Sequence, residues 1–89
     1  MMSRRLEIEN IKGLHARASA KLVEVVEGFN AEATVSKDGE STSGDSIMGL
    51  LMLAASIGTF IDVETSGPEA EALCDAIADL VADKFGEGD

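Results

Sequence analysis

The sequence predicts an α+β fold, an antiparallel four-stranded sheet with three helices on one face, in the order βαββαβα. Three observations predict it. Apolar and polar residues alternate with period two around Leu6 and Ile8, around Ala33 and Val35, and around Ile61 and Val63, the pattern of strands with one wet face. Apolar residues recur at helical spacing over residues 16–29 and again over residues 73–81. Gly28, Gly58 and the Gly67-Pro68 pair punctuate the chain where these patterns change. At 89 residues the whole chain, 1–89, is expected to be a single domain, long enough to fold without disulfides.

In the first strand Leu6 and Ile8 alternate with Arg5, Glu7 and Glu9, and this strand delivers the chain to His15. From residue 16 to residue 27 a helix presents Leu22, Val23 and Val26, followed by Phe29, with Gly28 as its stop. Ala33 and Val35 then alternate with Glu32, Thr34 and Ser36, and Asp38-Gly39 is a hairpin signal before a short strand over residues 40–42. Asp45 or Ser46 can cap a second helix, because their side-chain oxygens accept from N–H groups one turn on. Gly58 is expected to end that segment. Ile61 and Val63 alternate with Asp62 and Glu64 in the fourth strand. Gly67-Pro68-Glu69 predicts the last helix, with Pro68 near its first position, acidic residues in its first turn, and a stripe of Leu73, Cys74, Ile77, Leu80 and Val81. Cys74, the one cysteine, reads as a small packed hydrophobe. The tail from Gly86 onward is expected to fray.

Where the first strand gives way to the first helix stands Gly13-Leu14-His15-Ala16-Arg17, which holds the only histidine. An unperturbed imidazole has a pKa of about 6.5, so much of it is a neutral nitrogen nucleophile near pH 7. Backbone N–H groups of Ala16, Arg17 and Ala18, at a helix start, can receive a phosphate without further cations. Arg17 adds planar donors matched to phosphate oxygens, and Gly13 permits the tight approach that leaves the ring exposed. Neither a metal nor a cofactor is expected.

This segment resembles the active-site loop of the HPr family, histidine phosphocarriers of the bacterial phosphoenolpyruvate-dependent phosphotransferase system. The likeness extends through most of the chain. Residues 44–53, Gly-Asp-Ser-Ile-Met-Gly-Leu-Leu-Met-Leu, are similar to that family's second signature, whose serine is a regulatory phosphorylation site in many members. Two matches at the expected separation are far more specific than either alone. Residues 50–53 and 65–71 resemble the nitrogen-related or alphaproteobacterial branch. The resemblance implies an open-faced sandwich in which His15, through its δ nitrogen, accepts a phosphoryl group from the phosphohistidine of enzyme I and passes it to EIIA-type acceptor domains. It implies a carrier rather than an enzyme, with catalysis shared between partners. The family usually has proline after the arginine, whereas here Ala18 and then Ser19 follow, which puts transfer rate in question more than identity.

The second helix is apolar nearly all round: Ile47, Met48 and Leu51 fall on one side, Leu50, Leu53 and Ala54 on another. One side can enter the core, while the other suits docking beside His15, with Met48 and Met52 adaptable to several partners. The resemblance implies that Ile47, Met48 and Leu51 touch enzyme I and acceptor domains; Ala20 is assigned to the same surface. Ser46 has a plain role as a cap. Its phosphorylation would set a near-dianion against that apolar surface, and the resemblance implies an HPr kinase/phosphorylase as the agent.

A formal net charge of −10, with only seven Lys and Arg, argues against nucleic acid or anionic membrane as partner. No long apolar run follows Arg4 and Arg5, and the apolar stretch over residues 47–57 falls short of the roughly 20 residues that span a bilayer. A cytoplasmic monomer is expected. Two rival readings are an acyl carrier, whose Asp45-Ser46 would hold phosphopantetheine on a helical bundle, and a regulatory binding domain without covalent chemistry. The three alternating segments weigh against the first.

Overall fold

Each period-two segment forms a strand and each helical stripe a helix in the computed structural model, which describes residues 1–87. The order is β1 (Met2–Glu7), α1 (Ala16–Glu27), β2 (Glu32–Lys37), β3 (Glu40–Ser43), α2 (Ile47–Met52), β4 (Phe60–Ser66), α3 (Ala70–Ala82) and a terminal 3-10 turn (Lys84–Gly86). The strands form one antiparallel sheet ordered β1-β4-β2-β3. A sheet of this kind excludes the helical bundle of an acyl carrier.

Register explains the core. Leu6 lies opposite Ile61 and Val35 opposite Val63, so these residues share one face, and the helices cover it. Leu22, Leu50, Leu73, Ile77 and Phe85 complete the apolar interior, each such burial contributing roughly 1.5–3 kcal/mol. Cys74 is buried as expected. On the wet face Arg5 donates to Asp62 at 3.0 Å, an exposed pair of small energetic weight. The β2–β3 hairpin turns on Asp38 and Gly39, both at positive φ (52° and 85°), the twist a two-residue turn requires.

Pairing β1 with β4 carries the segment after β1 alongside the segment before β4. Ile8 N–H donates to the Thr59 carbonyl, and Gly58 N–H donates back to the Ile8 carbonyl, both at 2.8 Å. The chain leading to His15 is thereby laid against the stretch that follows α2.

Three expectations need correction. The second helix ends at Met52, not Gly58: Ala54 takes φ of 52°, and buried Leu53 and Ala55 turn inward against the His15 loop. Pro68 precedes the last helix, whose cap is Glu69 and whose first turn holds one acid, Glu71. Glu69 does not cap with its side chain; its carboxylate accepts Asn30 N–H while its own N–H donates to the Asn30 carbonyl. The tail is anchored through Glu87: Phe85 is fully buried, and Lys21 donates to its carbonyl. The remaining tail positions, Gly88 and Asp89, lie outside the described residues.

Candidate functional site

The site begins with the loop between β1 and α1. Gly13 N–H donates to the Asn10 carbonyl at 3.1 Å, and Leu14 N–H donates to the Ala55 carbonyl at 2.8 Å. His15 N–H returns to the Gly13 carbonyl at 2.9 Å. Gly13 has φ of 65°, and a Cβ there would strike the Ala55 carbonyl oxygen and approach Ser56 Cα to 2.9 Å. The tight approach expected of Gly13 is therefore a backbone-on-backbone contact.

This loop presents His15 as the N-cap of α1, a role the sequence reading did not assign. Its backbone is extended, its carbonyl accepts the first helical bond from Ser19 N–H, and its Nδ1 accepts Arg17 N–H at 3.3 Å. The N–H groups of Ala16, Arg17 and Ala18 lie ahead of the helical ladder. Because Nδ1 accepts a proton donor, the neutral ring carries its own proton on Nε2. Ser19, fully buried, donates to the Leu14 carbonyl and ties the first turn to the loop.

Two residues that sequence reasoning missed complete the ring's surroundings. The Nε2–H of His15 donates to the carboxylate of Glu87, and the other oxygen of that carboxylate accepts from the Asn10 amide at 2.9 Å. The His15 side chain is 27% exposed, whereas that of Glu87 is only 9% exposed. The Asn10 amide, then the ring of His15, and more weakly the Lys12 charge, hold the Glu87 carboxyl below its ordinary range.

Two clefts open near this loop. One, of about 220 Å³, is lined by Lys12, Arg17, Lys21, Gly86 and Glu87 and gathers three of the chain's seven basic residues. The other, of about 300 Å³, joins His15 to Leu51, Ala54 and Ala55. His15 and the end of α2 thus border one shallow surface. Met48 and Met52 are 69% and 73% exposed and Ile47 is exposed, while Leu50 and Leu53 are buried, as the helical wheel divides them. Ala54, grouped with Leu50 and Leu53, is instead exposed, because the helix has ended and its backbone turns to φ of 52°. Leu51 and Ala20 are half-buried. Of the two candidate caps, Ser46 caps α2, accepting Gly49 N–H at 3.0 Å, and Asp45 accepts from the Ser43 hydroxyl instead.

Among the described residues no group of acidic, cysteine and histidine side chains is placed to hold a metal, and no helix is long and apolar enough to cross a membrane.

Comparison with known proteins agrees with this geometry. The family model for the PTS HPr component phosphorylation site matches residues 2–83. The chain is 44% identical to the phosphocarrier protein HPr of Cupriavidus necator over 89 residues, all of both chains. It is 39% identical to the phosphocarrier protein NPr of Escherichia coli K12 over 83 residues, 92% of each. Among solved structures, HPr-C-His from Thermoanaerobacter tengcongensis superposes with a TM-score of 0.93 at 36% identity, covering 98% of both chains.

Proposed function

The chain belongs to the HPr family of phosphotransferase-system phosphocarriers, and from that premise we propose that His15 is the residue that carries the phosphoryl group, on Nδ1. As a family member the protein is a carrier rather than an enzyme, and relatives named NPr agree with a nitrogen-related flavour. The observation that carries the assignment to His15 is its position as the cap of α1, with Nδ1 turned to the helix start. When the lone pair of Nδ1 goes into an N–P bond, Arg17 N–H loses its acceptor. Phosphoryl oxygens replace it and can also meet the N–H groups of Ala16 and Ala18. The guanidinium of Arg17, in the adjoining cleft, adds planar charge-assisted donors. Transfer is then a matter of positioning and charge neutralisation during in-line displacement.

A carrier must also let go. Each 1.4 kcal/mol of stabilisation not shared by the transition state slows onward transfer about tenfold, so a helix end and one arginine suit the task. Ala18, fully buried at the third helical position, stands where relatives usually have proline, yet α1 still begins at Ala16 because His15 caps it.

The test is incubation with phosphoenolpyruvate and enzyme I, followed by phosphorus and nitrogen NMR of the adduct. An acid-labile phosphate on Nδ1 of His15 is expected. An acid-stable adduct on Ser46 as the only product would sink the assignment.

Family members interact with enzyme I, EIIA-type acceptors and kinases as general kinds of partner. For this chain the exposed face of α2, Ile47 and Met48, with Leu51 bordering the His15 cleft and half-buried Ala20 of α1, is the docking surface that exposure supports. Met48→Ser removes an exposed apolar contact without opening the core. It is expected to weaken enzyme I binding by about tenfold and leave Tm unchanged, as read by calorimetry and thermal unfolding. An unchanged affinity would exclude Met48 from the contact.

Ser46 lies five residues before Leu51, about 7.5 Å along the helix axis. A charge there favours the helix start but opposes an apolar partner. Ser46→Asp should therefore keep the fold and reduce the association rate with enzyme I several-fold at low salt; an equal or faster rate would remove Ser46 from regulation. An HPr kinase/phosphorylase would supply that charge.

A further inference from the structure

We infer that Glu87 is the positioning residue of the phosphoryl-accepting ring: its carboxylate, anchored by the Asn10 amide, keeps the proton of His15 on Nε2 and the lone pair on Nδ1. The inference rests on the assignment of His15 as the carrier and adds the device that prepares it.

Asn10 is fully buried, and both of its amide protons are spent, one on the Gly13 carbonyl at 2.8 Å and one on Glu87 Oε1 at 2.9 Å. Its Oδ1 is buried with no partner. An unpaired buried acceptor is costly, and reversing the amide would be worse, since Oδ1 would then face a carbonyl and a carboxylate. Asn10 is thereby a dedicated donor that ties Glu87 to the same loop that holds His15.

Glu87 is also delivered deliberately. Lys84 and Phe85 both take φ of 54°, a left-handed conformation that bulky residues rarely adopt, and it reverses the chain after α3. Burial of Phe85 and the bond from Lys21 to its carbonyl hold that reversal. Two residues later the carboxylate meets the ring. The other charged groups around this cleft are Lys12 from the loop and Arg17 and Lys21 from α1.

The placement serves both halves of the carrier cycle. In acceptance, the Nδ1 lone pair forms the N–P bond while the P–N bond of the donor's phosphohistidine breaks and its electron pair stays with the donor nitrogen. The ring, with Nε2–H retained, becomes a cation beside the carboxylate. In delivery, a nitrogen lone pair of the acceptor's histidine forms the new N–P bond while the Nδ1–P bond breaks; its electron pair returns to Nδ1, and the ring leaves as neutral imidazole. Had Nε2 lost its proton, the leaving group would be imidazolate, far more basic and slower to depart. A carboxylate behind an imidazole plays the same part in a hydrolase triad, fixing the tautomer and stabilising the cation without taking its proton.

Glu87→Gln in the full chain tests this, since it keeps shape and removes charge. In the unmodified protein, proton NMR should show a downfield His15 Nε2–H signal protected from exchange, and the variant should lose it. Transfer from phosphorylated enzyme I should slow about tenfold, the worth of one charge-assisted hydrogen bond. Onward transfer to an EIIA-type acceptor should fall off at lower pH than in the unmodified protein. The final extent of His15 labelling should be unchanged, which keeps the carrier assignment separate. An unaltered Nε2–H signal with unaltered rates and pH profile in a labelled variant overturns the role of Glu87 alone. Failure of His15 to label in the unmodified protein overturns both.

Discussion

His15→Ala should abolish phosphorylation by phosphoenolpyruvate and enzyme I while lowering stability by only about 1 kcal/mol. The two effects have separate sources. Among the described residues His15 supplies the only imidazole, so no second nitrogen of that kind can take the phosphoryl group. The stability cost comes from the cap: without Nδ1, Arg17 N–H loses its side-chain acceptor, and Glu87 loses the ring. His15→Asn tells them apart, because asparagine caps a helix well but is no nucleophile. Both variants should be dead as acceptors, and only the alanine variant should melt about 4–8 °C lower, the shift expected of 1 kcal/mol in a domain of this size. Labelling by mass spectrometry and thermal unfolding are the measurements. Residual acid-labile phosphate on either variant would place the carrier group elsewhere.

The bounds of α1, the Asp38-Gly39 hairpin and the helical faces of α2 were legible because each is written locally, in periodicity and in turn chemistry. His15 and Arg17 could be proposed for the same reason, being two residues apart where the helix begins. The cap role of His15 was not legible, since histidine is no habitual cap and the bond from Leu14 N–H to the Ala55 carbonyl, which fixes the residue before it, spans distant parts of the chain. Glycine at position 58 suggested a long second helix, but burial of Leu53 and Ala55 against the loop outweighs the helical propensity of that stretch. Asn10 and Glu87 stand 77 residues apart, and nothing in either neighbourhood announces the other. A polar pair assembled by the reversal at Phe85 is a tertiary fact. The histidine proposed as acceptor thus stands in a local motif, whereas Asn10 and Glu87, its partners across the fold, do not.

Gly13→Ala is expected to cost about 3 kcal/mol and to slow phosphotransfer by more than tenfold. Two penalties combine. An alanine at φ of 65° sits in the left-handed region, which costs on the order of 1 kcal/mol. Its Cβ also has no room: the Ala55 carbonyl oxygen and Ser56 Cα, the latter 2.9 Å away, are backbone atoms that cannot rotate aside. Relief requires the loop to lift, and lifting breaks the bond from Leu14 N–H to the Ala55 carbonyl, worth about 1 kcal/mol with further loss of packing from buried Leu14. A Tm reduction of roughly 12–24 °C follows. Gly39→Ala and Gly58→Ala supply the contrast, since both glycines have positive φ but nothing lies within 4 Å of the added Cβ. Each should lose only about 1 kcal/mol and keep full transfer, because neither bears on His15. Equal losses in all three variants would mean that backbone angle alone matters at Gly13. A deeper loss at Gly13, with slowed transfer measured well below its Tm, would show that the contact with Ala55 places the ring for its reaction as well as holding the loop.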